Sequence, residues 1–252
     1  MADNPLSYLV RRLRQRTSLS VAAEAAILRL PYVSKQYAPP AYLVREGATE
    51  MSHCSVIVSG FAFRQKLTLD GMRQILSLHM RGDLLDLQHL FLRHSDHSIQ
   101  ALTELETVNI ERAALQDLVL REPGVAQAMW ADALIDASIY RDWIVNVGRR
   151  DARARVAHLL CEFALRLKEA GLGDGQTCQL PMTQEQIGDA VGLTSVHVNR
   201  TLKALESEGV IRRNRREIAF ENWDKVRRVG DFSAMYLHLD QTPQSQGALY
   251  IL

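Results

Sequence analysis

"TQEQIGDAVGLTSVHVNRTLKALESEGVI", Thr183–Ile211, is the stretch that decides how the C-terminal part of this 252-residue chain folds. Thr183 and Gln186 have capping-box spacing, so a helix begins at Gln184 and runs to about Ala190. Ile187, Ala190 and Val191 give it one apolar face, and "VGLT" reads as a tight glycine turn that buries Leu193. Thr194 is the expected N-cap of a second helix, 195–208, in which Val198, Leu202 and Leu205 recur about every four residues. Ser195, Val196, His197, Asn199, Arg200 and Lys203 then lie on or beside its exposed N-terminal face. Gly209 ends the helix, and "VIRRNRREIAF" reads as a hairpin with Asn214 near its tip. An ordinary helical hairpin with a solvated face shares the apolar pattern. The order of cap, turn, buried back, polar face and basic hairpin favours a surface that reads something.

Duplex DNA is the target whose recognition needs this arrangement, because a helix enters the major groove by its N-terminal half while its back is anchored. Arginine matches the O6 and N7 acceptors of guanine, asparagine pairs with adenine, and valine meets a thymine methyl. A helix N-terminus with Thr183 or Gln184 suits a phosphate, and a hairpin with four arginines suits the backbone. The chain's net charge is only +1, but residues 149–230 carry 15 Lys/Arg against 11 Asp/Glu. The surplus is focused in "GRRDARAR" at 148–155 and "RRNRR" at 212–216.

Upstream, Asp151 is the expected N-cap of a helix "ARARVAHLLCEFALRLKEAG", which ends in the turn cluster "GLGDGQ" before a short strand in "TCQLPM". Gly148 is the expected hinge. Before it, "VAQAMWADALIDASIYRDWIVNV" predicts one helix about 35 Å long, opened by Pro123-Gly124. Its stripe Ala126, Met129, Ala133, Ala137, Tyr140, Ile144 and Val147 either lies in the chain's own core or pairs with a second copy. Trp130 and Trp143 fit both readings. From Ala41 to Ile110 the stretches "AYLV", "CSVIVSGFAF", "QILSLHM", "IQALT" and "TVNI", separated by glycine and charged turns, read as an antiparallel sandwich or barrel. The segment up to Leu30 is helical in pattern and is closed by Pro31 and Pro39-Pro40. A short helix is expected after Gly230, before the polar tail "DQTPQSQG".

With 47% hydrophobic and 23% charged residues the composition is that of a globular protein, and no apolar run approaches the ~18 residues of a membrane span. The N-terminal segment lacks the apolar region of a secretion signal. Cys54, Cys161 and Cys178 are odd in number and far apart, which fits a reducing cytoplasm rather than a disulfide framework. Three thiols also cannot hold an all-cysteine Fe–S cluster within one chain. Cys54 reads as buried packing, and Cys178, near the paired helices, as the better candidate for thiol regulation. No nucleophile elbow, P-loop, zincin motif or dinucleotide fingerprint occurs, so the reading is not an enzyme.

Residues 183–211 resemble the DNA-binding signature of the Crp/Fnr (cyclic-AMP receptor protein / fumarate–nitrate regulator) family nearly throughout. "YLVREGATEMSHCSVIVSGFAF" and "LSLHMRGDLL" resemble that family's β-region, so the resemblance spans roughly residues 30–230 in order. It implies an α+β chain with a cyclic-nucleotide-binding-type β-roll (jelly roll), a long dimerisation helix and a C-terminal winged helix-turn-helix. The corresponding domains are 1–122, 123–148 and 149–230, followed by a tail at 231–252. It further implies a cytoplasmic homodimer that binds a near-palindromic operator, works with RNA polymerase and does not engage a membrane. The family's base-reading positions fall on Ser195, Val196, Asn199 and Arg200, where Arg200 matches the arginine that reads guanine. Val196 replaces a common glutamate, so the relatives' base preferences do not transfer. Thr183, Gln184, Thr194, Lys203, Arg212, Arg213, Arg215 and Arg216 fall to the DNA backbone, and for His197 a backbone contact and a merely solvated side chain both stay open.

Members that bind cyclic AMP carry a Gly-Glu-Leu and a later Arg-Ser pair. Here "RGDLLDLQHLFLRHSDHSIQAL" lacks both and places Asp83 and Asp86 where carboxylates oppose an anionic phosphate. Arg93 stands at the wrong spacing to replace the missing arginine. His79, His89, His94, Asp96 and His97 form the only cluster of metal or haem ligand types, without a recognised spacing, and read first as polar loop residues. No cofactor is assigned. The alternative function is an effector-gated sensor whose β-roll binds a small molecule or haem.

Overall fold

The structure is a computed structural model and describes residues 4–49 and 51–239. Helices α1 (Ser7–Arg14) and α2 (Val21–Leu28) precede eight strands. These are β1 (Tyr32–Tyr37), β2 (Tyr42–Val44), β3 (His53–Ser59), β4 (Ala62–Leu67), β5 (Arg73–His79), β6 (Leu84–Leu85), β7 (Ser98–Ala101) and β8 (Leu105–Glu111). Helices α3 (Arg112–Arg121), α4 (Pro123–Arg149) and α5 (Ala152–Glu169) follow. After them come β9 (Thr177–Gln179), α6 (Gln184–Val191), α7 (Ser195–Ser207), β10 (Arg212–Asn214), β11 (Glu217–Ala219) and α8 (Trp223–Val229). The described residues form two compact units, one within residues 1–62, 79–138 and 235–252, the other of residues 63–78 and 139–234.

The first unit is built on an antiparallel sheet of order β1-β8-β3-β6, in which β8 pairs from Tyr32↔Ile110 to Tyr37↔Leu105 and β3 pairs from His53↔Glu111 to Ser59↔Glu106. Alternation along a strand sends Cys54, Val56, Val108 and Ile110 to one face, where they meet Leu6, Leu9 and Leu13, Ile27 of α2, Leu115 of α3 and Met129 of α4. Ile57, Leu85 and Leu105 belong to the core on the other face, together with Tyr37, Val44 and Ile99. Both faces of β3 are therefore covered, which is why its sequence is a continuous apolar run. Leu6, Leu9, Val10 and Leu13 recur at helical spacing, and full burial of each leucine contributes ~2 kcal/mol. On the same stretch Arg12 and Arg16 donate from Nε to Asp132 of α4 at 3.0 and 2.8 Å.

In the second unit α5, α6 and α7 pack together, β11 lies between β10 and β9, and α8 closes on α5. Asp151 caps α5, accepting from the Ala154 N–H at 2.8 Å, as its position predicted. Trp143 is buried and donates from Nε1 to Glu162 at 2.8 Å, and Glu162 lies 3.5 Å from Arg166.

Four expectations change. Strand β1 was not anticipated because it is an edge strand with five of its six residues exposed. Helices α3 and α8 were also not anticipated, although Asn222, which caps α8 by accepting from Lys225 N–H at 2.9 Å, was a readable signal. Along α4 the buried face is Val125, Ala128, Met129, Asp132, Ile135, Ile139, Trp143 and Asn146, while Ala133 and Ile144 of the expected stripe are exposed. The stripe therefore does not lie wholly in the chain's own core, where Asp132 takes a place because two arginines neutralise it, and pairing with a second copy stays open. Gly148 is not a break: α4 runs on to Arg149, and the chain turns at Arg150–Asp151, where Arg150 reaches Asp142 at 3.2 Å and Asp231 at 3.1 Å. A short helix after Gly230 is present as the 3-10 turn Ala234–Leu237, and the polar tail lies outside the described residues. Among the described residues no helix is long and apolar enough to cross a membrane.

Candidate nucleic-acid interface

Local chemistry shapes the paired helices. The Thr183 N–H donates to Gln186 Oε1 at 2.9 Å and the Gln186 N–H to Thr183 Oγ1 at 3.2 Å, completing the capping box of α6. Gly192 closes α6 at φ 67°, in the left-handed region that glycine enters without penalty. Gly188 admits the turn itself, since a Cβ there would lie 2.3 Å from the Leu193 carbonyl oxygen. Thr194 then caps α7 by accepting from the His197 N–H at 3.3 Å. Val198, Thr201, Leu202 and Leu205 bury the back of α7 against α5 and α6.

The opposite face carries the predicted readers. Ser195, Val196, His197, Arg200 and Lys203 are exposed, with Val196 at 68%, and Asn199 is half-buried. The hairpin pairs Arg212↔Ala219, Arg213↔Ile218 and Asn214↔Glu217, with Arg215 and Arg216 forming its two-residue turn. Arg215 has φ 56°, a conformation that costs a non-glycine residue about 1 kcal/mol or more. Arg212 lies 3.4 Å from Glu221 and Arg213 3.4 Å from Glu206. Arg200, Lys203, Arg215 and Arg216 form no ion pair among the described residues, so their charge is available to an anion. Gln184, half-buried, and Thr183 and Thr194, exposed, stand at the N-termini of the two helices.

Two sets of residues escaped sequence reading. Arg73 donates from Nε to Asp189 of α6 at 2.6 Å, and Gln74 donates from Nε2 to the Ala190 carbonyl at 3.3 Å. His158 of α5 lies 2.7 Å from Asp142 through Nε2 and 3.2 Å from the Gly230 carbonyl through Nδ1. Burial pushes the Asp142 carboxyl upward, but hydrogen bonds and charge from His158 and Arg150 outweigh it and hold the group below the usual carboxylate range. No local pattern announces either set.

In the first unit the histidine-rich segment is divided. Asp83 accepts from the Met80 N–H at 3.2 Å and lies 3.4 Å from His79 and 3.5 Å from Arg12. Asp86, at φ 65°, has Oδ1 3.6 Å from His97 and 3.9 Å from His89, while Asp96 touches His97 at 2.9 Å. Arg93 and His94 are exposed. Among the described residues no group of three or more His, Cys, Asp or Glu side chains is arranged to hold a metal ion. Cys54 is fully buried, as expected for packing, and burial pushes its thiol up to about 12. The reading of Cys178 as the thiol for regulation is corrected: it is 5% exposed, and burial pushes it up to about 12, far from the thiolate that reacts.

Residues 154–229 match the Crp-like helix-turn-helix domain, and residues 34–122 match the cyclic nucleotide-binding domain. A probable transcriptional activator of Rhizobium leguminosarum bv. viciae is 30% identical over 188 residues, which cover 74% of this chain and 77% of that protein. The transcriptional activator protein FnrL of Cereibacter sphaeroides is 28% identical over 167 residues, 64% of this chain and 66% of that one. The structure of FixK2 from Bradyrhizobium japonicum superposes with a TM-score of 0.74 at 25% identity, covering 81% of this chain and all of that one. Two domain matches in the right order, on a strand-rich unit and a capped helix-turn-helix, agree with the residues: the chain belongs to the Crp/Fnr family of DNA-binding transcription regulators.

Proposed function

We propose that the protein acts as a homodimer on a near-palindromic operator, each copy placing α7 in a major groove, with half-sites about one helical turn apart. The observation that carries this is the exposed N-terminal face of α7, with Val196, His197 and Arg200, which has no ion pair among the described residues, opposite a buried back of Val198, Thr201, Leu202 and Leu205. Ser195, Val196, Asn199 and Arg200 read base edges, and Arg200 takes a guanine. Thr183, Gln184, Thr194, His197, Lys203, Arg212, Arg213, Arg215 and Arg216 hold phosphates. Residues 1–122 serve as the sensor-like domain, 123–148 as the dimerisation helix and 149–230 as the DNA-binding domain. Support for a second copy comes from the outward side of α4, where Trp130, Leu134, Ile144 and Val145 are exposed. Regulation through RNA polymerase in the cytoplasm, without enzymatic activity, completes this reading. Selection of bound duplexes from a random pool tests it: a recovered inverted repeat with a guanine in each half supports it, and recovery of no shared sequence overturns it.

A second reading, an effector-gated sensor, is supported by the match of residues 34–122 to a cyclic nucleotide-binding domain. Asp83 and Asp86, both buried there, disfavour an anionic cyclic phosphate and favour a neutral or cationic small molecule, with haem as the other alternative. Mass spectrometry of the purified protein, with its absorption near the Soret region, decides between an occupied and an empty roll.

A further inference from the structure

The hairpin β10–β11 and helix α6 border a solvent-open cavity of about 280 Å³, slightly below the roughly 300 Å³ at which small-molecule pockets begin. Its floor is apolar: Leu180, Met182, Ile187, Leu202 and Ile218. Each of these is 2–4% exposed, so a small area of hydrocarbon faces the void. Arg213, Arg215 and Arg216 line it from the hairpin, and Thr183 and Gln184 from the start of α6. Arg215 and Arg216 have no acidic partner among the described residues. Arg213 Nε is buried and makes no hydrogen bond, because Glu206, 3.4 Å away, is not aligned with it. The N-terminus of α6 adds its positive end. A DNA phosphodiester satisfies these cations but has no use for a hydrocarbon floor. Water satisfies the floor no better.

We infer that this cavity is a binding site for a small amphipathic carboxylate, with a ring or short aliphatic body on the floor and its carboxylate among the arginines. An occupant neutralises charge that the proposed DNA contact uses, so it weakens operator binding from within the winged helix. That consequence rests on the reading of the hairpin as a phosphate-contacting wing, whereas binding itself does not.

The full chain is titrated without DNA, using 2-naphthoate as probe and following naphthalene fluorescence. Uncharged 2-naphthalenemethanol and inorganic phosphate are the controls. Submillimolar naphthoate binding is expected, with both controls at least tenfold weaker. Met182→Phe, which fills the floor, and Arg215→Gln, on the exposed turn, should each weaken naphthoate at least fivefold. Circular dichroism checks that Met182→Phe is folded, and if it is not, Arg215→Gln decides alone. Absence of naphthoate binding, equal binding of phosphate, or indifference to the folded variants overturns the site. In a second measurement naphthoate should weaken operator binding of the wild type at least fivefold and of folded Met182→Phe less than twofold. Naphthoate that binds without weakening operator binding overturns the competition and leaves the site. A protein that selects no operator even without naphthoate counts against the DNA reading instead.

Discussion

Arg73 Nε lies 2.6 Å from Asp189 Oδ2, an ion pair that ties the start of β5 to the last turn of α6 just before the tight turn into α7. Both side chains are largely covered, at 25% and 20% exposure, so the pair is screened less than one on an open surface. Gln74 adds a hydrogen bond to the Ala190 carbonyl. One strand end therefore holds the helix against which α7 packs. A double-mutant cycle of Arg73→Ala and Asp189→Ala should give a coupling of about 0.5–1 kcal/mol in chemical denaturation. Additive single effects would show that the pair contributes nothing.

Arg200→Ala should cost about 1–3 kcal/mol of operator affinity and relax preference at one base pair. Arg216→Ala should instead weaken all duplexes alike and reduce the slope of log affinity against log salt by about one. Binding to an operator and its point variants over a salt series checks both. An Arg200→Ala protein with unchanged preference removes that residue from the readers.

Dimerisation through α4 predicts a specific lesion. Leu134 is 63% exposed on the outward side, so Leu134→Glu leaves the protomer's own core intact and places a charge where a second copy would lie. Light scattering should show a monomer, and operator affinity should fall by roughly 10²-fold or more as bivalent binding is lost. A dimeric Leu134→Glu protein would move the interface elsewhere.

Asp142 carries a pH-dependent contribution. Its carboxyl is held below its ordinary value in the folded state, so it stabilises the fold at neutral pH and that contribution is lost as acid protonates it. Asp142→Asn should therefore be less stable than wild type at pH 7, and the gap should narrow below about pH 4, the range in which free carboxylates titrate. A gap independent of pH would assign the effect to shape rather than charge.

The cysteines should be inert in the folded protein. All three are buried and raised, Cys54 and Cys178 to about 12, so less than one thiol per chain should react with a disulfide reagent at pH 7.5 within minutes. Guanidinium should release all three. Rapid labelling of Cys178 without denaturant would restore it as a regulatory thiol.

Legibility followed the range of the interactions. The capping box at Thr183, the left-handed Gly192 and the cap at Thr194 each involve groups within a few residues, so spacing was enough to place α6, the turn and α7. The strands of the roll were legible where their apolar residues are buried, as in β3, and not where a strand lies exposed at an edge, as in β1. The buried face of α4 was not legible from period alone, because apolar residues lie on both sides of the helix. The decision fell to Asp132 and the arginines of the first twenty residues, more than a hundred positions away.

By itself, then, the amino-acid order determined a capped helix-turn-helix with an exposed Arg200, a basic hairpin, and a strand-rich region ahead of one long helix. Those features rest on propensity, capping and period, which act over one or two turns of chain. Only the tertiary structure decided that Arg73 meets Asp189, 116 positions apart, that Cys178 is sealed from solvent, and that arginines gather over an apolar cavity. Each of these depends on which surfaces exclude water together, and no local pattern of residues encodes that.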